Sequence, residues 1–274
     1  MKNFWKLEGA GNDFVFFESK PPARATAFVR ELCDRRLGIG ADGAVFLWSQ
    51  KGRWQWSFRN PDGSEAEVCG NAARCVALWL FKRKPKAKQV EWRGLVGDFK
   101  GETKGRGYRV RWPLPPAAFR DLNPEFLEEL TSGLNDRGLS GVYSVNVGNP
   151  HLVLLNHGEW NRQDRAASSA HLRSHPDLGP AGSNVTWVSK KGDDAKPIYE
   201  VVTFERGVEA ETLACGSGAL AAFQALRRYA EENGLAPPRR LDLRFPGGTL
   251  QVEESPEGLW LAGPAREVFR GELP

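Results

Sequence analysis

Three short sequence landmarks occur twice along this chain, in the same order and at comparable spacing. The first is a Gly-Asn turn that leads into an apolar run, the second is a small-residue turn before another apolar run, and the third is an acidic stretch that ends in Cys-Gly. The copies are residues 11–17 and 148–155, residues 40–47 and 181–188, and residues 65–72 and 209–218. One such repeat could arise by chance, but three repeats in the same order indicate two homologous halves, with a border near residues 114–116.

Each half combines short strands with one helix pattern that begins directly after its Cys-Gly pair. Trp54, Trp56 and Phe58 alternate with polar residues, as in a half-buried strand, and residues 199–205 predict the counterpart strand. Apolar residues at helical spacing follow Cys-Gly in both halves, and basic residues near the helix ends suit the helix dipole. We therefore expect an α+β fold of two pseudo-symmetric homologous domains. Each is expected to be a sheet wrapped around a central helix, with the active site in the cleft between them.

The composition is that of a globular chain large enough to fold without disulfides. The chain has 274 residues, of which 41% are hydrophobic and 26% charged, and its mean hydropathy is −0.47. The longest uncharged apolar run, residues 76–81, is far too short to span a bilayer. The amino terminus lacks the apolar stretch of a signal peptide. These features predict a cytoplasmic protein with no membrane partner.

The net charge of +4 comes largely from local basic runs such as residues 82–88. A face that binds nucleic acid usually combines such charge with aromatic side chains that read bases. This run instead follows a helical pattern and contains Pro85, which is typical of a solvated helix end and loop. We expect no nucleic-acid partner.

The cysteines and histidines lack the spacing of a metal site. Cys33, Cys69, Cys75 and Cys215 form no CxxC or CxxH pair, and the four histidines form no HExxH or comparable cluster. We therefore expect no metal. Cys33 and Cys75 are expected to be structural, because cysteine is among the most commonly buried residue types.

Cys69 and Cys215 each precede a glycine at the predicted start of a helix. Amide groups and the positive end of the helix dipole lower the pKa of a thiol there and leave a fraction as thiolate. The same amides are suited to bind a carboxylate. They belong to Gly70, Asn71, Gly216 and Ser217. Each half thus supplies a base and half of an anion cradle, and neither is a complete site alone.

Two such halves placed face to face would flank one carbon atom with two thiols. One thiolate removes the α-proton of an amino acid from one face, while the opposite thiol delivers a proton to the other face. The amide dipoles stabilise the carbanion as its charge spreads into the carboxylate. This chemistry inverts an α-carbon with neither pyridoxal phosphate nor a metal, and we expect no cofactor.

Several polar residues near these motifs also have plain structural interpretations. Asn12 and Asn149 follow glycine and could supply turn geometry alone. Residues 205–207 could form a surface turn. His151, which follows a proline, could be a partly exposed strand residue.

With these motifs in place, the chain resembles the diaminopimelate epimerases over nearly its whole length. The matching stretches, in family order, are residues 6–14, 35–43, 60–75, 148–151, 182–185, 205–218, 245–248 and 263–265. The two cysteine motifs among them are highly specific. The resemblance implies a cofactor-independent epimerase that interconverts LL- and meso-diaminopimelate, the step before lysine and peptidoglycan precursors.

The resemblance also implies roles for individual residues. The catalytic set would be Cys69, Cys215, His151 and Glu205, with the cysteines as the acid/base pair and His151 supporting the thiols. The α-carboxylate would lie on the amides of Gly70, Asn71, Gly216 and Ser217. The other substrate-binding residues would be Asn12, Asn60, Asn149, Asn184, Glu205 and Arg206. Glu205 and Arg206 would meet ammonium and carboxylate groups of the substrate.

The family fold further implies that the last strand, residues 264–274, returns to the first half. The expected domains are therefore residues 1–115, completed by 264–274, and residues 116–263. Two features depart from the family pattern: Ala72 replaces the usual glycine and would crowd the cradle slightly, and residues 91–107 do not align convincingly.

Other functions remain open at the level of sequence. The same two-thiol chemistry could act on another amino acid, such as histidine or a proline derivative, or the chain could be a degenerate homologue without catalysis. A nucleophilic thiol hydrolase that pairs a cysteine with His151 would leave the duplicated Cys-Gly unexplained. The expected partner is a small-molecule amino-acid substrate, and we also consider a homodimer.

Overall fold

The computed structural model describes residues 3–115, 117–134, 138–192 and 197–273. The chain forms two compact units, one made of residues 1–114 with 257–274 and the other of residues 115–256. Both units combine strands with helices, which confirms the predicted α+β class. Pro116, at the predicted border, lies outside the described residues.

The strands, in chain order, are β1 (Asn3–Gly9), β2 (Asn12–Phe17), β3 (Gly43–Gln50), β4 (Arg53–Arg59), β5 (Glu65–Ala66), β6 (Gln89–Gly94), β7 (Gly97–Lys104), β8 (Gly107–Arg111), β9 (Ala118–Arg120), β10 (Leu139–Asn146), β11 (Pro150–Asn156), β12 (Asn184–Lys191), β13 (Ile198–Glu205), β14 (Ala210–Glu211), β15 (Arg240–Phe245), β16 (Gly248–Ser255), β17 (Gly258–Gly263) and β18 (Arg266–Glu272). The helices are α1 (Ala25–Cys33), α2 (Gly70–Arg83), α3 (Pro124–Leu134), α4 (Arg162–Arg173) and α5 (Gly216–Glu232). Within the described ranges, no helix combines the length and the apolar character needed to cross a membrane.

In the first unit the strands pack around α2. β2 is antiparallel to β1 and parallel to β3, and β3 forms an antiparallel hairpin with β4. β4 runs parallel to β6, and the sheet continues antiparallel through β7 to β8. β18 pairs with β1. Because α2 contacts β1, β6, β7, β8 and β17, every residue from Gly70 to Phe81 is buried.

The strand β17 belongs to the first unit. The sequence prediction placed residues 258–263 in the second half and began the returning strand at residue 264. In the structure β17 pairs antiparallel with β8, and the main-chain amide of Trp112 donates to the Leu259 carbonyl at 2.8 Å. These backbone hydrogen bonds bring the chain back to the first unit at Glu257.

In the second unit the strands pack around α5. β11 is antiparallel to β10 and parallel to β12, and β12 is antiparallel to β13. β13 runs parallel to β15, which pairs antiparallel with β16, and β9 pairs with β10. α5 contacts β10, β11, β12, β13 and β16, and residues 216–223 are all buried. α3 and α4 contribute Phe126, Leu130 and Leu172 to a separate apolar core.

The strand pairings of the two units correspond residue by residue. The parallel pair β2–β3 matches β11–β12, and the antiparallel pair β3–β4 matches β12–β13. At three matched positions, the first unit buries apolar side chains and the second buries polar ones. The matched pairs are Phe14 and His151, Val45 and Thr186, and Phe58 and Thr203.

Candidate active site

Both predicted helices begin directly after a cysteine, and each cysteine caps its helix. Cys69 is the N-cap of α2 and Cys215 is the N-cap of α5, both with extended backbone. The Cys69 Sγ accepts a hydrogen bond from the Ala72 amide at 3.5 Å, and the Cys215 Sγ accepts one from the Gly218 amide at 3.3 Å. A thiol in this place lies at the positive end of the helix dipole. The two units therefore present the same side chain in the same local geometry.

The surroundings of Cys215 hold its thiol in the neutral form. Cys215 is only 4% exposed, and burial raises the pKa of its thiol well above the ordinary value, with the Glu205 carboxylate raising it further. The Ser217 hydroxyl, 3.3 Å from the sulfur, and the hydrogen bond from the Gly218 amide lower the pKa, but each does so by less than burial raises it. The prediction that the helix start leaves this thiol partly ionised is therefore wrong for Cys215. Burial costs the Cys215 thiolate more solvation free energy than the helix dipole provides in stabilisation.

Cys69 is half-buried and has a cation in its own helix. Arg74 is 0% exposed, and its guanidinium reaches back to the first turn of α2. Its Nη1 donates to the Gly70 carbonyl at 3.2 Å, and its Nη2 donates to Asn71 Oδ1 at 2.8 Å. Arg74 was not among the predicted site residues. The available signal was an arginine within an otherwise apolar helix, since arginine is almost never fully buried unless it is paired.

A directional chain of hydrogen bonds orients the amides of Asn71 and Asn12. Because Arg74 donates to Asn71 Oδ1, the Nδ2 of Asn71 is the atom that donates to Asn12 Oδ1. The Asn12 Nδ2 then donates to the Asp42 carboxylate at 3.0 Å, which also accepts from Arg35 at 2.6 Å. The structure thus brings two predicted residues together at the start of α2. Asp42 and Arg35, which hold them, were missed, although both lie in stretches that carry the family resemblance.

Asn60 stabilises a local turn in the structure. Its main-chain amide donates to the Ser64 carbonyl at 2.9 Å, and its side chain donates to the Ser64 hydroxyl at 3.0 Å. Its own carbonyl accepts from the Gly63 amide at 2.9 Å, which closes the connection between β4 and β5. Substrate binding by Asn60 stays a prediction.

His151 lies in a buried column of hydrogen bonds next to Cys215. It is 0% exposed, so it is not the partly exposed strand residue that was considered. Its Nδ1 lies 2.9 Å from Thr186 Oγ1, its Nε2 lies 3.0 Å from Ser217 Oγ, and Ser217 Oγ contacts the Cys215 Sγ. Burial, together with the positive charge of Arg206, lowers the pKa of His151 to about 3. The imidazole is therefore neutral near pH 7.

The partners of Asn184 determine which nitrogen of His151 carries the proton. The Asn184 Oδ1 accepts from the Arg206 amide at 2.9 Å, and its Nδ2 donates to a main-chain carbonyl at 3.2 Å, which orients the amide. The same Nδ2 lies 3.3 Å from His151 Nε2, so Nε2 is an acceptor. The proton therefore resides on Nδ1, which donates to Thr186. The Nε2 lone pair faces Ser217.

Glu205 and Arg206 lie at the end of β13, where the chain turns as the surface-turn interpretation expected. Glu205 accepts a short hydrogen bond from the Thr212 hydroxyl, and its carboxylate acts on the thiol of Cys215. Arg206 is exposed, and its guanidinium donates to the Ala181 carbonyl at 3.2 Å. Both side chains thus have defined contacts within the second unit.

Asn149 presents a buried acceptor at the entrance to β11. It follows Gly148, which has a φ of 112° that suits glycine. The Oδ1 of Asn149 is buried and has no hydrogen-bond partner among the described residues. Leaving a buried acceptor unsatisfied costs stability, so the atom is suited to an N–H donor from a ligand.

Each unit gathers its own predicted residues around one thiol. In the second unit, hydrogen bonds and charge link Cys215, Ser217, His151, Asn184 and Glu205. In the first unit, Asn71 and Asn12 are joined at the start of the helix that Cys69 caps. Over the ranges that the structure describes, no group of three or more His, Cys, Asp or Glu side chains could hold a metal ion.

Comparison with known proteins identifies the family. The family profile described as diaminopimelate epimerase matches residues 4–114 and 143–268. The diaminopimelate epimerase of Aquifex aeolicus (strain VF5) is 32% identical over 286 residues, covering 98% of this chain and 97% of that protein. A phenazine biosynthesis protein of the PhzF family from Bacillus anthracis has a TM-score of 0.71 at 14% identity, covering 100% of this chain and 99% of that one. A hydroxyproline epimerase from Agrobacterium vitis has a TM-score of 0.64 at 12% identity, covering 99% and 92%.

The matching profile and the aligned relative show that the chain is an isomerase of the epimerase type. More narrowly, the chain belongs to the diaminopimelate epimerase family, because the family profile covers most of its length and a relative above 30% identity aligns over nearly all of it. The two solved structures, at 12% and 14% identity, share the fold alone.

Proposed function

We propose that this protein interconverts LL- and meso-diaminopimelate with two thiols, in the synthesis of lysine and peptidoglycan precursors. The observation that carries the proposal is the pair Cys69 and Cys215, each capping a buried helix at matched places in two homologous units. Family membership supports the choice of substrate. Inversion of an α-carbon requires proton transfer on both faces, and two thiols supply one group for each face.

The α-carboxylate of the substrate is proposed to bind at the first turns of α2 and α5. The first N–H groups of a helix lack partners within the helix and are oriented toward an anion at its N-terminus. The amides concerned are those of Gly70, Asn71, Gly216 and Ser217. The same dipoles would stabilise the negative charge that spreads into the carboxylate as the α-proton leaves.

Proton transfer requires one thiolate and one thiol at the start of each turnover. The thiolate takes the α-proton as the electrons of the C–H bond spread into the carboxylate, and the opposing thiol donates its proton to the other face of the carbon. The neutral Cys215 is suited to the donor role. We propose that neither pyridoxal phosphate nor a metal takes part, since thiols and helix dipoles account for the proton transfer and for the charge.

His151 and Glu205 are proposed to govern the proton of Cys215. The Nε2 lone pair of His151 reaches the thiol through the Ser217 hydroxyl, and the Glu205 carboxylate acts on the same sulfur. A neutral imidazole with its lone pair facing the site accepts a hydrogen bond there and places no positive charge beside the thiol. By raising the pKa of Cys215, the Glu205 carboxylate would favour the return of a proton from solvent to this sulfur between turnovers.

The polar groups of the substrate away from the cradle are proposed to meet Arg206, Asn149 and the oriented asparagines. The planar fork of a guanidinium matches a carboxylate, and Arg206 is exposed. The buried Oδ1 of Asn149 is suited to an ammonium group. Asn12, Asn60 and Asn184 complete the proposed set.

A substrate panel tests this proposal. Purified, reduced protein is incubated with LL-diaminopimelate and followed by proton NMR, and the meso isomer is expected to appear. The panel also contains histidine, proline and 4-hydroxyproline, because the same chemistry on another amino acid is the main alternative. Turnover of one of these in place of diaminopimelate would keep the chemistry and overturn the substrate. If no compound reacts while the thiols are confirmed as reduced, the chain is a non-catalytic homologue.

A cytoplasmic location is proposed on the chemistry of the cysteines. None of the four, all of which lie in the described ranges, forms a disulfide, and the proposed mechanism needs two of them reduced. Reduced thiols persist in the cytosol and not in oxidising compartments. The homodimer stays a prediction, which light scattering of the purified protein would test.

A further inference from the structure

Arg74 is a fully buried cation whose hydrogen-bond partners are all neutral. Its acceptors are the carbonyls of Gly70 and Pro264 and the side-chain oxygen of Asn71. Burial lowers the pKa of Arg74 to about 10, which leaves it protonated near pH 7. No carboxylate in the described part of the chain forms an ion pair with it. Because a buried charge is costly without an opposite charge, an anion close to the start of α2 would stabilise Arg74.

Three titratable groups act electrostatically on Arg74 among the described residues, namely Cys75, Cys69 and Glu8. Cys75 is 0% exposed, and burial raises the pKa of its thiol far above the ordinary value, so Cys75 stays neutral. Glu8 is engaged elsewhere, because its carboxylate pairs with Arg266 at 2.7 Å and accepts from a main-chain amide at 3.0 Å. Cys69, half-buried at the positive end of α2, is the group left to carry the negative charge.

Several charged side chains on the other elements packed against α2 form ion pairs of their own, and Glu91 on β6 is exposed and accepts a hydrogen bond from Gln89 at 2.7 Å. On β1, Lys6 pairs with Asp13 at 2.7 Å. The pairs on β6, β7 and β8 are Arg93 with Asp98, Lys100 with Glu257, and Arg109 with Glu102. β17 has the sequence GLWLAG and carries no titratable side chain. None of these elements supplies an unpaired carboxylate to Arg74 within the described ranges.

The second unit has the opposite arrangement around its thiol. Leu220 lies five residues after Cys215, where Arg74 lies five residues after Cys69. The charged group that acts on Cys215 is the Glu205 carboxylate. The nearby imidazole of His151 is neutral. The same helix-capping thiol therefore faces a cation in one unit and an anion in the other.

We infer that Arg74 is the counter-charge that holds Cys69 as a thiolate in the resting protein, while Cys215 rests as a thiol. In catalytic terms, which rest on the proposed epimerase function, Cys69 is the resting base and Cys215 the resting acid. The α C–H bond breaks, an S–H bond forms on Cys69, and the Cys215 proton moves to the opposite face of the carbon. The protein is then left with a thiol beside Arg74 and a thiolate beside Glu205. This is the less stable arrangement, so a proton must pass back to Cys215 before the resting form returns. Arg74 acts through Cys69 and is a positioning residue.

Alkylation of the thiols as a function of pH tests the inference without any substrate. Wild-type protein is treated with iodoacetamide, and the peptides that contain Cys69 and Cys215 are quantified separately by mass spectrometry. Midpoints of the pH profiles are compared instead of rates, because Cys215 is the less exposed thiol. We expect the midpoint of Cys69 to lie below that of an ordinary cysteine and the midpoint of Cys215 to lie above it. Equal midpoints, or the reverse order, would overturn the inference.

Arg74→Leu gives the first unit the residue that the second unit has at this place. The midpoint of the Cys69 alkylation profile is expected to rise by about one pH unit, so at pH values below both midpoints the thiolate fraction, and with it alkylation, falls about tenfold. Arg74→Lys keeps a cation and is expected to retain most of the reactivity. Glu8→Gln removes the competing carboxylate and is expected not to lower it.

An unchanged Cys69 profile in a folded Arg74→Leu variant would contradict the inference. If that variant does not fold, the two wild-type midpoints decide the question alone. Because no step of the alkylation involves a substrate, a wrong counter-charge can be told apart from a wrong assignment of the reaction.

Discussion

The two units share a plan of strands around one helix and differ in what surrounds the cysteine that caps it. At matched buried positions the first unit has aromatic and aliphatic side chains, and the second has a histidine and two threonines in a hydrogen-bonded column. Five residues after the cysteine, the first unit has Arg74 and the second has Leu220. The backbone has thus been preserved through the duplication, while the charges around the thiols have diverged.

This divergence matters because two identical thiols cannot divide a proton transfer between them. At the start of a turnover one sulfur must be without a proton and the other must carry one. The helix dipole is common to both capping positions and therefore makes no distinction. The cation of the first unit, and the burial and carboxylate of the second, make the distinction.

The largest effect is expected from removing either cysteine, which would show that both units are needed. Cys69→Ala and Cys215→Ala should each lower kcat for diaminopimelate by roughly a thousandfold, within the range for losing a positioned acid or base. Cys33→Ala removes a buried thiol from a core of the first unit and is the matched control, with turnover retained. Steady-state kinetics of the three variants would settle the point. If either helix-capping cysteine proved dispensable, the units would not be partners in one reaction.

The next effect concerns recognition by the second unit. Arg206→Ala should lower kcat/KM for diaminopimelate by roughly 10- to 100-fold, mainly through KM, because charged hydrogen bonds are worth about 1.5–3 kcal/mol. Arg173→Ala is the control, since that guanidinium already pairs with Glu209 at 2.6 Å. Unaltered kinetics in Arg206→Ala would remove it from the substrate site.

The polar column of the second unit can be tested with the residue of the first. Thr186→Val introduces the side chain found at the matched position, Val45, and leaves the Nδ1–H of His151 buried without an acceptor. The free energy of unfolding should fall by about 1–3 kcal/mol in urea titrations. Thr186→Ser keeps the hydroxyl and should lose less. A Thr186→Val variant as stable as the wild type would show that the Thr186 hydroxyl does not accept a stabilising hydrogen bond from His151.

The pH dependence of stability tests the neutral histidine. The pKa of His151 is lowered from 6.5 to about 3 in the folded chain, so below pH 6.5 the unfolded chain takes up a proton that the folded chain does not. The contribution of His151 is full above pH 6.5 and is lost as the pH falls toward 3, at up to about 1.4 kcal/mol per pH unit. His151→Gln should flatten this part of the curve in urea titrations at several pH values. Parallel curves for the two proteins would contradict the buried neutral imidazole.

Much of the scaffold could be predicted from the sequence because local patterns determine it. The duplicated landmarks indicated two related halves, and both Cys-Gly pairs marked helix starts that the structure confirms at Gly70 and Gly216. The place of β17 could not be read in the same way. Its membership in the first unit depends on pairing with β8, which is distant in sequence.

The electrostatics of the site depended on contacts that a sequence does not display. The bond between Thr186 and Thr203 exists because the register of β12 and β13 places them opposite each other. Nothing local to Arg74 shows that its guanidinium turns back to the first helical turn. The helix dipole predicted the same effect on both thiols, and only the burial of Cys215 reveals that desolvation prevails there.

Isotope incorporation is the most direct test of whether two thiols act on opposite faces of one carbon. The reaction is run in D₂O from LL-diaminopimelate, and separately from the meso isomer, with proton NMR of substrate and product at low conversion. With two thiols, the product is expected to carry deuterium at the inverted carbon from the first turnovers, while the remaining substrate keeps its proton. Deuterium entering substrate and product at comparable rates would mean that a single base serves both faces, and would contradict a reaction with two thiols.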